Sequence, residues 1–137
     1  MDKTYNFSTK QKKEIKKILN RTPGFSKQGQ LGEFFDKYLL CEALARKIIE
    51  YKKGKSDKFE TLNYTSIESA LKFYKYNSYI DIIVKIFKSG DGKRGEKTPR
   101  QLRNGYFHNL SEEDRKEIET RSNDMISLMN DFINQFK

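Results

Sequence analysis

The chain has 137 residues, the length of a single domain, taken as 1–137. Hydrophobic residues make up 35% and the mean hydropathy is −0.91, yet Leu, Ile, Val and Phe together number 33, about 24% of the chain. That exceeds the roughly 20% below which charged chains tend not to fold, and it excludes a wholly disordered protein.

No stretch approaches the roughly 18 apolar residues of a membrane span. The first twenty residues hold no apolar signal core and carry Lys10, Lys12, Lys13, Lys16 and Lys17. The one cysteine, Cys41, excludes an intrachain disulfide framework and fits a reducing compartment. A cytoplasmic protein without membrane contact is therefore expected. A formal charge of +9 favours an anionic partner, of which nucleic acid is the commonest.

Periodicity reads helix nearly throughout. Ser8 with Gln11 is a capping box, and Ile15, Ile18 and Leu19 follow it in a helix over roughly 8–20, before Pro23 and Gly24. Leu31, Phe34, Tyr38, Cys41, Ala45 and Ile48 step by three and four residues, with Phe35, Leu39 and Ile49 widening the stripe of a core helix over roughly 30–52. Cys41 lies on that stripe and reads as a buried thiol, not a nucleophile. The stretch Lys52 to Lys58 reads as a charged loop.

Thr65 with Glu68 forms a second capping box, ahead of Ile67, Leu71 and Tyr74. Asn77 and Ser78 would interrupt or bend this helix. Tyr79 to Phe87 is apolar around most of a helix circumference; a strand is the alternative, but the chain has a single Val and no visible partner strand. So wide an apolar surface must be central or lie at an interface. Residues 89–97 form a Gly- and Lys-rich loop. Thr98-Pro99 opens a short helix, and Ser111 caps the last one, with Glu112, Glu113 and Asp114 at its positive end. The last stripe is Ile118, Met125, Met129, Phe132, Ile133 and Phe136. The expected fold is all-α, an antiparallel bundle of four long helices with one or two short ones.

Gly90, Gly92 and Gly95 spell G-x-G-x-x-G, but a dinucleotide site needs a buried strand before them and a helix opening on the third glycine. Charged residues and a proline surround them instead, and no Gly-Lys-Ser/Thr closes a phosphate loop. One His and one Cys leave no zinc constellation, and the carboxylates lack EF-hand spacing. No metal and no cofactor are expected.

Residues 102–110 read Leu-Arg-Asn-Gly-Tyr-Phe-His-Asn-Leu, with four residues between Arg103 and His108 and Asn104 directly after the arginine. Taken alone, the spacing also fits a solvated Arg and a His that caps a helix end. The segment resembles the R-x4–6-H motif of the HEPN superfamily, all-helical domains many of which are metal-independent ribonucleases. The polar residue after the arginine and the position at the junction into the final long helix match as well. One departure stands out: members paired with nucleotidyltransferase antitoxins usually have Tyr two positions after the histidine, where this chain has Leu110.

The residues suit the chemistry that the resemblance implies. Attack on RNA by its own 2′-hydroxyl needs one proton removed and one delivered, both within reach of an imidazole. A guanidinium can stabilise the charge gathering on the phosphate. Arg103 and His108 are thus the expected catalytic pair, with Asn104 in support. Lys93, Arg94, Lys97 and Arg100 are expected to bind the RNA backbone. Glu42 can pair with Arg103 or, at i,i+4, with Arg46.

One His per chain leaves a two-imidazole mechanism incomplete, so water, another group or a second chain must contribute; in HEPN ribonucleases two motifs meet across a homodimer. The resemblance implies an endoribonuclease acting on single-stranded RNA as a toxin or antiviral defence (abortive-infection) effector, with an antitoxin or defence-system partner. The alternative is a catalytically silent module of this kind that binds nucleic acid or a protein.

Overall fold

The computed structural model describes residues 7–21, 29–54, 62, 64–76, 80–88 and 97–137, and among these it is all-α. The helices are α1 (Thr9–Leu19), α2 (Gln30–Lys53), α3 (Tyr64–Phe73), α4 (Ile80–Phe87), α5 (Pro99–Asn109) and α6 (Glu112–Asn134). Only α2 and α6 are long, with 24 and 23 residues. Two long helices and four short ones thus replace the expected four long and one or two short. Among the described residues no helix is long and apolar enough to cross a membrane.

Local chemistry sets most of the ends. Ser8 Oγ accepts from the Gln11 N–H at 3.1 Å while Gln11 Oε1 accepts from the Ser8 N–H at 2.9 Å, the reciprocal pair of a capping box. Gly54, at φ 73°, ends α2 in the left-handed region and donates to the Glu50 carbonyl. One expectation fails on α3: the helix begins at Tyr64, so Thr65 lies inside it and is not its cap. The helix ends at Phe73 and the next begins at Ile80; Asn77 and Ser78, expected to interrupt or bend it, lie outside the described residues. Lys75 sits at φ 64°, with its N–H on the Lys72 carbonyl and the Tyr76 N–H on the Leu71 carbonyl. Those two bonds make a Schellman ending, with lysine where glycine is usual. The sequence offers no signal for it.

The core forms between α2 and α6, whose main chain and side chains meet where the Cys41 thiol donates to the Met129 carbonyl at 3.6 Å. Phe87 from α4 reaches both long helices, edge-on to Phe132 and tilted against Tyr38. Residues 80–87 are helix rather than strand, and α4 packs on α3, α5 and α6. Ile83, Ile86 and Phe87 are fully buried there, so this side of the wide apolar surface is central, while Ile80, Ile82 and Val84 are half-buried and Tyr79 lies outside the described residues. The stripes of α2 and α6 are buried as their periodicity requires, apart from half-buried Leu31, Leu39 and Phe136.

Burial pushes the Cys41 thiol well above its ordinary range, because an apolar surrounding disfavours the thiolate. In native protein at pH 8 a disulfide reagent should leave Cys41 unmodified over hours, and denaturant should release one reactive thiol per chain. Rapid reaction without denaturant would contradict the packing of α2 on α6.

Candidate functional site

Helix α5 carries the Arg103–His108 segment, and its start is firmly built. Thr98 Oγ1 accepts from the Gln101 N–H at 3.4 Å and Gln101 Oε1 accepts from the Thr98 N–H at 2.9 Å, with Pro99 in the first turn. Thr98, Pro99 and Leu102 are buried, which roots the first half of the helix in the core. The last turn projects: Phe107, His108, Asn109 and Leu110 are all exposed.

A close approach to α6 holds this arrangement. Asp114 is 4% exposed, and its Oδ1 accepts from Lys97 Nζ at 2.7 Å. Gly105 faces the same carboxylate, so closely that a Cβ there would fall 1.8 Å from Asp114 Oδ2 and 2.9 Å from its Cγ. Glycine is required for space, not for backbone freedom. The ion pair raises the Lys97 ammonium above its usual range through its hydrogen bond to Asp114, against a smaller opposing effect of desolvation.

Arg103 is half-buried. Its Nη1 donates to Asn104 Oδ1 at 3.1 Å, and its guanidinium carbon lies 4.6 Å from the Phe107 ring centroid, one helical turn on. Its Nε is closed off from solvent and has no hydrogen-bond partner among the described residues. Leaving such a donor unpaired costs about 1–3 kcal/mol, more for a charged group. At about 100° per residue, five steps put Arg103 and His108 some 140° apart around α5, while Asn104 and His108 are i,i+4 neighbours. Asn104 therefore bridges the pair: its oxygen holds the arginine and its face of the helix is that of the histidine.

The expected RNA-binding cations divide. Lys93 and Arg94 lie outside the described residues. Lys97, still 49% exposed, is engaged by Asp114, and Arg100 Nη1 donates to the Phe87 carbonyl at 3.3 Å. Glu42 accepts from the Tyr38 hydroxyl at 3.2 Å and lies 3.8 Å from Arg46 Nε, the i,i+4 pairing. Burial drives the Tyr38 phenol far up, Glu42 adds to this, and the positive charges of Arg100 and Arg103 oppose it. Among the described residues no three His, Cys, Asp or Glu side chains gather as a metal site.

Sequence reasoning missed Phe107, Gly105 and Asp114. The i,i+4 spacing of Arg103 and Phe107 was a usable signal. The 97–114 ion pair, 17 residues apart, left none. A cavity of about 590 Å³ between α1 and the end of α6, lined by Phe7, Ile15, Leu19, Tyr76 and Phe136 among others, contains no α5 residue. The last turn of α5 with its cap, Phe107 to Leu110, is exposed. No protein-family model, curated protein or solved structure matches this chain.

Replacing Gly105 by Ala adds helix propensity worth about 1 kcal/mol but must displace the Asp114 carboxylate and its ion pair. The expected result is a net loss of about 1–3 kcal/mol, since crowding a buried carboxylate out of its place outweighs the propensity gain. In a double-mutant cycle the second change, Asp114→Ser, should cost far less on Gly105→Ala than on the wild-type chain. Additive losses in denaturant titrations would contradict the contact.

Proposed function

We propose that this chain is a metal-independent endoribonuclease of the HEPN type, cleaving single-stranded RNA at the exposed end of α5. The observation that carries the reading is the state of Arg103. Its guanidinium is held from two sides, by Asn104 and Phe107, and the side chain is half-buried. A phosphate would meet the part of the guanidinium that solvent reaches, not the enclosed Nε, and a partly desolvated, pre-positioned guanidinium pairs strongly with such an anion.

In this reading His108 takes the proton from the 2′-hydroxyl of the nucleotide 5′ to the scissile phosphate. The freed oxygen bonds to phosphorus, and charge grows on the phosphoryl oxygens beside Arg103. The bond from phosphorus to the 5′-oxygen then breaks, and that oxygen receives a proton. Products are a 2′,3′-cyclic phosphate and a 5′-hydroxyl. With one His per chain, the proton for the leaving oxygen comes from the His108 of a second copy, in a homodimer with a composite site. Tethering of Lys97 and Arg100 within the fold leaves Lys93 and Arg94 as the cations of the expected set assigned to the RNA backbone. A toxin or antiviral-defence role, with an antitoxin or other controlling partner, belongs to the same proposal and rests on the family resemblance.

Purified protein should degrade single-stranded RNA in EDTA. His108→Ala should lower the rate by about 10²–10⁴-fold and Arg103→Ala by about 10²–10³-fold, each with wild-type circular dichroism. Equal residual activity in all three proteins would remove the assignment.

The composite site makes its own demand. Co-expressing wild type with excess His108→Ala should depress activity beyond simple dilution, because most wild-type chains would sit in mixed dimers. Activity that tracked the amount of wild-type chain linearly would make each protomer self-sufficient.

A further inference from the structure

Two large apolar side chains are exposed among the described residues, Phe107 at 43% and Leu110 at 72%. Both flank His108 at the end of α5, Phe107 in the last turn and Leu110 at the cap. Isolated exposed hydrophobics are ordinary, but these two sit where further features coincide. Leu110 lies at φ 50°, ψ 38° as the C-cap of α5, a left-handed position that glycine or asparagine occupies more readily. A bulky residue at such a position carries backbone strain in addition to its exposure. Phe107 is gripped from within the protein by the Arg103 guanidinium and by Phe35, whose ring centroid is 4.8 Å away. That leaves an aromatic surface fixed in direction, partly open, and coupled to the arginine assigned to the phosphate.

The size of the patch argues for its occupant. A stable interface between proteins buries roughly 800 Å² on each partner, beyond what two side chains supply alone. One unpaired base offers an apolar face of matching size, and bases of single-stranded RNA stack on aromatic side chains without regard to sequence. The net charge of +9 favours the same polyanion. We propose that Phe107 and Leu110 form a platform on which an unpaired RNA base packs beside the Arg103–His108 pair. The inference rests on the ribonuclease reading for the identity of the polymer, and it adds which feature of the polymer is gripped. The base anchors the strand while Arg103 takes the phosphate, so binding depends on nucleobases as well as on charge.

The test reads binding, so that it stands apart from cleavage. On a His108→Ala background, anisotropy would follow a labelled oligouridine and an abasic ribose-phosphate oligomer of equal length in EDTA at fixed salt. The oligouridine should bind more tightly. Phe107→Ala should reduce its affinity by about 5- to 150-fold, weaken the abasic oligomer by a much smaller factor through the loosened Arg103, and be largely rescued by Phe107→Tyr. Leu110→Ser, at an exposed cap where folding is not at stake, should act in the same direction by a smaller factor. Equal affinity for the two oligomers, or equal losses on both in Phe107→Ala, would overturn the platform. So would a Leu110→Ser variant that halves the sedimenting mass while keeping base-dependent binding, which would assign the patch to a contact between copies. Base-dependent binding by a wild-type protein that cleaves nothing would sink the ribonuclease reading and leave the platform standing.

Discussion

The contact between Gly105 and the Asp114 carboxylate decides where everything else at the candidate site can stand. A carboxylate 4% exposed is tolerable only with partners, because an unpaired buried charge is costly by several kcal/mol. Lys97 supplies the charge, and the missing Cβ of Gly105 supplies the room. With Thr98 capping one end and Leu102 buried beyond it, α5 is fixed against α6 along its first half. Its final turn is more exposed, with Tyr106 and Phe107 resting on the Phe35 ring.

That turn gathers features that do not favour folding. Arg103 has an unpaired buried Nε, Phe107 and Leu110 are exposed, and Leu110 adopts a left-handed backbone. Many other local choices agree with the fold: caps at Ser8, Thr98 and Ser111, a glycine ending α2, and stripes that meet in one core. Single conflicts occur at Lys75, left-handed at φ 64°, and at Gln135, whose buried side-chain amide has no partner among the described residues. Several gathered within eight residues mark where function is to be sought. Stability and activity should therefore oppose one another at this helix end.

Much of the architecture was legible because its signals are local. Capping at Ser8, Thr98 and Ser111, the stripe through Cys41, and the stripe from Ile118 to Phe136 can all be read within four residues of each position. The ending of α3 was not, since lysine at a left-handed position follows from how Tyr76 and Leu71 are held rather than from any turn residue. The wide apolar stretch from Tyr79 to Phe87 pointed equally to the centre and to an interface; three neighbouring helices bury Ile83, Ile86 and Phe87, while Ile80, Ile82 and Val84 stay half-buried. At the site, Arg103, Asn104 and His108 were singled out, and Arg103 and Asn104 touch. Lys97 and Arg100 looked like free cations because a sequence does not show what lies across the fold. Asp114 and the Phe87 carbonyl are 17 and 13 residues from them.

The central claim is that Arg103 and His108 direct attack by the RNA's own 2′-hydroxyl. The ends of the cleaved strands report this directly. Incubation with a single-stranded RNA of defined sequence, followed by mass spectrometry of the fragments, should show 2′,3′-cyclic phosphate, or its hydrolysed 2′- or 3′-monophosphate, opposite a 5′-hydroxyl. Fragments ending in 3′-hydroxyl opposite 5′-phosphate would mean that water attacked the phosphorus, and the assignment of roles to Arg103 and His108 would be wrong.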